Sequence, residues 1–376
     1  MNYDSLLYAR DLSIGYHNNF PKMIAEKLEL DLRAGELVCL IGPNGAGKST
    51  LIRTLIGMQH PLSGSIYLAG RDLRDFTPTE RAKKLSVVLT SPVTVSHFRV
   101  FHVVALGRYP HTGWSGALSE DDKRIVSFSL NAVGAAGLTS RFMGEISDGE
   151  KQKVMIARGL AQDPAVLVLD EPTAFLDLPH KVEIMRILRS LSRHPGRAVL
   201  LSIHDLDLAM RTADRIWLID KTGKMFFGAP EDLVLQGVLS SAFEMGGVHF
   251  DIEKGTFIIA PEERGSAILT GEAGTEMELI WTRRALERAG YSICADEGTS
   301  MRIDVCRSGG RVIWSWQNGG NKLEFNSIGS LVQHLRTLPD MKERFKEHTS
   351  ADLLQQGFDP SMLNECAPGI ETVIMP

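Results

Sequence analysis

The stretch ELVCLIGPNGAGKSTLIRTLIG, residues 36–57, decides how the chain folds. It opens with an apolar run of strand type and closes on an apolar helix start. Between them GPNGAGKST, Gly42 to Thr50, fits the pattern G-x-x-x-x-G-K-[ST]. Strand, glycine-rich turn and helix in that order make a phosphate cradle. The glycines let backbone N–H groups turn inward on phosphate oxygens, and the helix N-terminus adds partial positive charge. Gly42, Asn44, Gly45, Ala46 and Gly47 are the expected cradle, closed by Lys48, Ser49 and Thr50. Lys48 would reach the β- and γ-phosphates of a nucleotide, and the Ser49 hydroxyl would ligate Mg²⁺.

Outward from the cradle the pattern repeats. KLSVVLT (84–90), AVLVLDE (165–171), AVLLSIH (198–204) and RIWLIDK (215–221) are short apolar runs with little alternation, as parallel strands buried on both faces require. Helical patterns lie between them; over 181–193, Val182, Met185 and Leu188 form one stripe. The order predicts an α/β domain over residues 1–245 with a mostly parallel central sheet. Ahead of the cradle, LLYARDLSIGY and MIAEKLELDLRAGE predict antiparallel strands turning at NNFPK. GAPEDLV, after the last strand, reads as a turn.

The texture changes near residue 250. FDIEKGTFIIAPEERGSAILTGE reads as short strands with turns, and ELIWTRRALERAGYSI as a helix entering a strand. MRIDVCR, RVIWSWQ and KLEFNS read as an antiparallel set, and IGSLVQHLRTL as a closing helix. Residues 250–376 are thus expected to form a small α+β module. The last forty residues read as helical fragments and tail.

With 376 residues there is room for two or three domains. A formal net charge of -5 gives no footing for nucleic acid. No apolar run approaches the eighteen residues of a membrane span, and MNYDSLLYAR has no signal-peptide pattern. Cys39, Cys294, Cys306 and Cys366 lack metal-ligand spacing and suit a reducing compartment.

Three further places carry chemistry. VLVLDEP sets Asp170 and Glu171 at the C-terminal end of a strand, the edge at which parallel sheets bind ligands. Asp170 would hold Mg²⁺, and Glu171 would orient or deprotonate an attacking water. His204 ends the next strand and could reach the same γ-phosphate, or serve structure alone. ISDGEKQ starts a helix with Ser147 as N-cap and Glu150 three residues on, a capping box.

Tyr16, GPNGAGKST, ISDGEKQ, VLVLDEP, AFLD and His204, in that order, resemble the ATP-binding-cassette ATPases over residues 6 to about 245. The resemblance implies ATP and Mg²⁺ as cofactors, with Tyr16 stacked on adenine. It implies a homodimer of cassettes packed head to tail, in which Ser147, Gly149 and Glu150 of one chain close over the γ-phosphate held by Lys48 of the other. VVALGRYPHTGW and LSIHDLDLAMRTADRIWLID resemble importers of iron-siderophore, haem and cobalamin type. That implies an integral membrane permease as partner, a periplasmic or surface substrate-binding protein met through it, and a peripheral place on the cytoplasmic face of the inner membrane. A soluble cassette ATPase of translation or DNA maintenance is the alternative.

Three positions depart from the family. Thr90 stands where a glutamine usually contacts Mg²⁺ and the attacking water, and a bridging water would extend its reach. Asp148 replaces a common glycine, and its carboxylate must point away from the partner's phosphate. Phe175 puts a bulky ring in the AFLD loop. The module after residue 250 lies outside the core resemblance, and is either a regulatory domain or an extra dimer contact.

Overall fold

The structure, a computed structural model, describes residues 5–16, 22–89, 96–243, 248–252, 255–259, 263–294 and 299–338. It divides into two compact units, the first ending at Ile258 and the second beginning at Ile259.

The first unit opens with β1 (Ser5–Tyr16), β2 (Lys22–Arg33), β3 (Leu37–Ile41), α1 (Lys48–Leu55), β4 (Ser63–Leu68) and β5 (Arg71–Asp72). Then come α2 (Pro78–Ala82), β6 (Leu85–Val88), α3 (Val100–Ala105), α4 (Glu120–Ala132), α5 (Asp148–Ala161), β7 (Val166–Leu169), α6 (Leu178–Ser192) and β8 (Ala198–Ser202). It closes with α7 (Leu206–Thr212), β9 (Arg215–Ile219), β10 (Met225–Gly228), α8 (Pro230–Leu235), α9 (Val238–Phe243), β11 (Val248–Asp251) and β12 (Thr256–Ile259).

A six-stranded sheet in the order β10-β9-β3-β8-β7-β6 forms the centre. All its pairings are parallel except that of edge strand β10 with β9. A separate antiparallel sheet, β2-β1-β4-β5, is built from the strands on either side of β3 in sequence. The apolar runs have a simple cause. On β3, Leu37, Cys39 and Ile41 enter one core with α3 to α6, while Val38 and Leu40 enter a second core with α1 and the antiparallel sheet. Each face of the strand is a wall of a different core, so every position is apolar.

Local chemistry sets the helix starts. Ser147 caps α5 and Ser119 caps α4, each in a reciprocal capping box. On α6 the buried face is Ile184, Met185, Ile187, Leu188 and Leu191; Val182 is half exposed, because the face turns one position away from the expected stripe. GAPEDLV is not a turn. Pro230 sits at the first position of α8, where its missing N–H costs nothing.

The hairpin β11–β12 differs from its sequence grouping. The strands pair as a two-stranded sheet, and Phe257 meets both Phe243 and Phe250 edge-on, at 5.6 and 5.0 Å between ring centres. This aromatic contact holds β11 against the end of α9 rather than in the later module.

The second unit runs β13 (Gly265–Gly271), α10 (Glu276–Arg288), β14 (Tyr291–Ile293), β15 (Met301–Ser308), β16 (Arg311–Asn318), β17 (Asn321–Phe325) and α11 (Ile328–Thr337). Its sheet order is β14-β13-β15-β16-β17. β15, β16 and β17 are antiparallel. β13 instead pairs in parallel with both β14 and β15; the α10 crossover returns the chain alongside it at β14. Ala267, Ile303, Val305, Trp314 and Trp316 pack with Leu286 of α10 and Leu331 and Leu335 of α11. The Trp314 indole donates to Thr282 Oγ1 at 2.8 Å, satisfying its buried N–H on α10.

Candidate active site

β3 is buried along its whole length and delivers the cradle at its C-terminal end. Gly47, the N-cap of α1, has a left-handed φ of 107° and no side-chain cap. The first N–H groups of α1 are therefore available to an anion. A Cβ on Gly47 would lie 2.3 Å from Ile24 Cγ2 of β2. One on Gly42 would lie 2.2 Å from the Ile219 carbonyl oxygen of β9. Both glycines are thus demanded by packing as well as by the loop's shape. Asn44 and Gly45 form the exposed tip, and Ala46 is buried under a turn in which its N–H donates to Pro43 O at 3.2 Å.

Lys48 is buried, and its ammonium donates to Gly42 O at 2.8 Å and Pro43 O at 3.1 Å. Burial lowers its pKa, while Glu171 and Asp170 act the other way by favouring the charged form. Those carboxylates therefore lie within electrostatic reach of the cradle lysine. Ser49 follows, half-buried, and the Thr50 side chain turns toward Tyr16: their hydroxyls are 3.0 Å apart. That contact fixes the end of β1, with a half-exposed aromatic ring, beside the cradle helix.

Asp170 and Glu171 follow β7, one strand away from β8 and two from β3. Ser202, fully buried at the end of β8, joins them. Its hydroxyl donates to Asp170 Oδ1 at 2.6 Å and accepts the Glu171 N–H at 2.9 Å. Glu171 adopts a left-handed φ of 50°, and its Oε1 lies 2.5 Å from His204 Nε2. Lys48, Asp170, Glu171 and His204 thus gather at the carboxyl edge of the sheet. Asp170 and Ser49 offer only hard oxygens, a donor set that suits Mg²⁺. No group of three or more His, Cys, Asp or Glu placed to hold a metal ion occurs among the described residues. Thr90 lies outside the described residues.

Ser147, Gly149 and Glu150 form a second group. Ser147 N–H and Oγ donate to Glu150 Oε2 at 2.8 and 3.0 Å, and Glu150 N–H returns to Ser147 Oγ at 3.3 Å. These bonds, the backbone one first, hold the Glu150 carboxyl below its usual range. All of them stay within the first turn of α5. Gly149 packs on His180, whose Cδ2 would be 2.6 Å from an added Cβ. His180 in turn is held by Asp177, the N-cap of α6. Asp148 is strongly exposed and pairs with Lys151 at 2.9 Å. Phe175 is 93% exposed with a left-handed φ of 63°.

Ser202, His180 and Arg108 are given no role by the sequence reading, which includes Asp177 only as the end of AFLD. Arg108 is a buried guanidinium that donates to Asp122 Oδ1 and to Ala161 O, each at 2.8 Å, and so joins α4 to the end of α5. A lone hydroxyl closing the apolar run AVLLS was the available signal for Ser202. Nothing local distinguishes Arg108.

The family profile described as "ABC transporter" matches residues 25–174, and "Iron ABC transporter C-terminal domain" matches 264–336. An uncharacterized ABC transporter ATP-binding protein of Methanocaldococcus jannaschii is 40% identical over 252 residues, covering 67% of this chain and 86% of the relative. The iron(3+)-hydroxamate import ATP-binding protein FhuC of Bacillus subtilis is 33% identical, covering 64% and 88%. Among solved structures, a nucleotide-free ATP-binding cassette from an ABC transporter superposes with a TM-score of 0.57 at 22% identity, over 64% of this chain and 99% of that one.

Proposed function

The chain belongs to the family of ABC transporter ATP-binding proteins, and from that membership we propose that it hydrolyses ATP to power uptake through a membrane permease. The cargo class is an iron-siderophore, haem or cobalamin-type ligand. The observation that carries the hydrolytic reading is the grouping of Lys48, Asp170, Glu171 and His204 at one sheet edge, with Glu171 Oε1 2.5 Å from His204.

Each residue has a task. The cradle N–H groups and Lys48 bind the phosphates, and the Tyr16 ring stacks on adenine. Ser49 and Asp170, with Thr90 through a water, would hold Mg²⁺, which would supply positive charge against the phosphates. Glu171 accepts the proton of the water that attacks the γ-phosphate. His204 holds that carboxylate in place. Ser202 fixes both acids from behind.

Ser147, Gly149 and Glu150 make no hydrogen bond to the cradle of their own chain, which favours completion by a second copy. Two chains in an isologous pair would each lend the start of α5 to the other's nucleotide. ATP then holds the pair closed, and loss of the γ-phosphate releases it. Leu106, Tyr109 and Trp114 form an exposed apolar group on the segment after α3, with Tyr109 77% exposed and Trp114 fully so. Such a group suits a permease contact. No helix among the described residues is long and apolar enough to cross a membrane, so the proposed place at the cytoplasmic face depends on that contact.

The test is a tagged pull-down from gently solubilised native membranes. A polytopic membrane protein at near-equal stoichiometry is expected, and its binding specificity names the cargo. Recovery of soluble partners or ribosomes alone would overturn the importer reading.

A further inference from the structure

The second unit carries a cleft that no part of the ATPase site uses. Strand register lines up Ile268, Arg302, Gln317 and Lys322 in one row across β13, β15, β16 and β17. Directly opposed residues share a face of a sheet, and neighbours along a strand take opposite faces. Ile303 and Trp316, next to Arg302 and Gln317, point into the core against α10 and α11. The row therefore stands on the other, polar face. Thr299 and Ser300 at one side and the Asn318–Asn321 hairpin at the other enclose a cleft of about 490 Å³. That volume is within the range of small-molecule sites.

The lining chemistry is one-sided. Two cations, three carboxamides and two hydroxyls face the cleft, and none of its lining residues among those described is a carboxylate. Two described acids sit in the next row: Asp304 pairs with Arg302 at 3.1 Å and Glu324 with Lys322 at 3.5 Å. Both cations are more than half exposed in these pairs, and exposed pairs of this kind contribute little. An incoming oxyanion can therefore displace them. Arg302 and Lys322 flank Gln317 from strands about 10 Å apart, twice the interstrand spacing. The guanidinium offers a planar fork to one anionic group, and the ammonium a point charge to another.

We propose that this cleft binds a small molecule carrying two oxyanion groups, making the second unit a ligand-binding module. Carboxylates and phosphates share the required chemistry, so two probes separate them: citrate and pyrophosphate. Titration calorimetry is run on the full chain and on the Arg302→Gln/Lys322→Gln double variant. Pyrophosphate also fits the phosphate cradle near Lys48, but that site is identical in both proteins, so only the difference between them reports the cleft.

The expected result is binding of at least one probe that weakens about tenfold or more in the double variant, the loss of two charge-assisted contacts. Arg302→Lys, which keeps the charge, should retain more of the affinity than Arg302→Gln. Binding of citrate alone assigns a carboxylate ligand, and cleft binding of pyrophosphate alone a phosphate ligand. Equal titrations in wild type and double variant, or no binding of either probe at millimolar concentration, would overturn the proposal. Both substituted side chains are exposed on strands, so folding is not at stake; matching melting curves verify this.

Discussion

One hydroxyl, that of Ser202, serves two acids at once. Ser202→Ala would remove the acceptor of the Glu171 N–H and one donor to Asp170 Oδ1. A lost buried hydrogen bond of this kind costs about 1–3 kcal/mol, expected as a lower denaturant midpoint with an unchanged slope. Turnover should fall with it, while ATP affinity, set by the cradle, changes little. Glu171→Gln keeps the shape but removes the base, and steady-state turnover is expected to drop about 100-fold or more. Turnover at the parental rate would remove Glu171 from the proposed role. Gly47→Ala must force a methyl against Ile24 at a φ that side chains resist, so nucleotide binding should be lost in equilibrium dialysis. Asp170, Glu171 and His204 stand out in the sequence because each follows an apolar run, and Lys48 because it closes the glycine-rich pattern. Ser202 was not, because its partners are fixed by the pairing of β7 with β8.

Among elements, the join of α4 to α5 is sensitive to acid. Asp122 is buried, and hydrogen bonds from Ser119, then from Arg108, hold its carboxyl down to about 2, against an ordinary 3.8. The folded pKa is depressed, so the contribution is fully present above about pH 4 and is lost as pH falls toward 2. It amounts to about 2 kcal/mol, and melting temperatures in Asp122→Asn should lose that part of their pH dependence. At the start of α5, Gly149→Ala would drive its methyl into His180. The N-termini of α5 and α6 should then separate, with turnover reduced more than ATP binding in the same protein. Strands and capped helix starts were readable because their rules are local. The start of α8 was misread since Pro and Gly mark helix ends and turns alike. The parallel pairing of β13 was not visible, since pairing partners leave no mark on a strand's own residues.

For the whole molecule, the proposed two-copy site predicts assembly linked to nucleotide state. Glu171→Gln with ATP should sediment as a dimer, and the same protein with ADP as a monomer. A monomer in both states would reject shared sites. The second unit has its own core of Trp314, Trp316 and Leu286, and the Arg302 cleft shares no lining residue with the ATPase site.

The unbroken apolarity of β3 leaves one requirement open. A strand whose two faces are both apolar loses nothing by hydrophobic pattern if it slides one residue along its neighbours. Leu37 to Ile41 would merely exchange cores. Gly42 prevents this, because only a residue without Cβ can pass the Ile219 carbonyl of β9. The cradle's first glycine thus acts as an alignment pin for the central sheet. A substitution there should show first as misthreaded, insoluble chain, before any assay of nucleotide binding could be made.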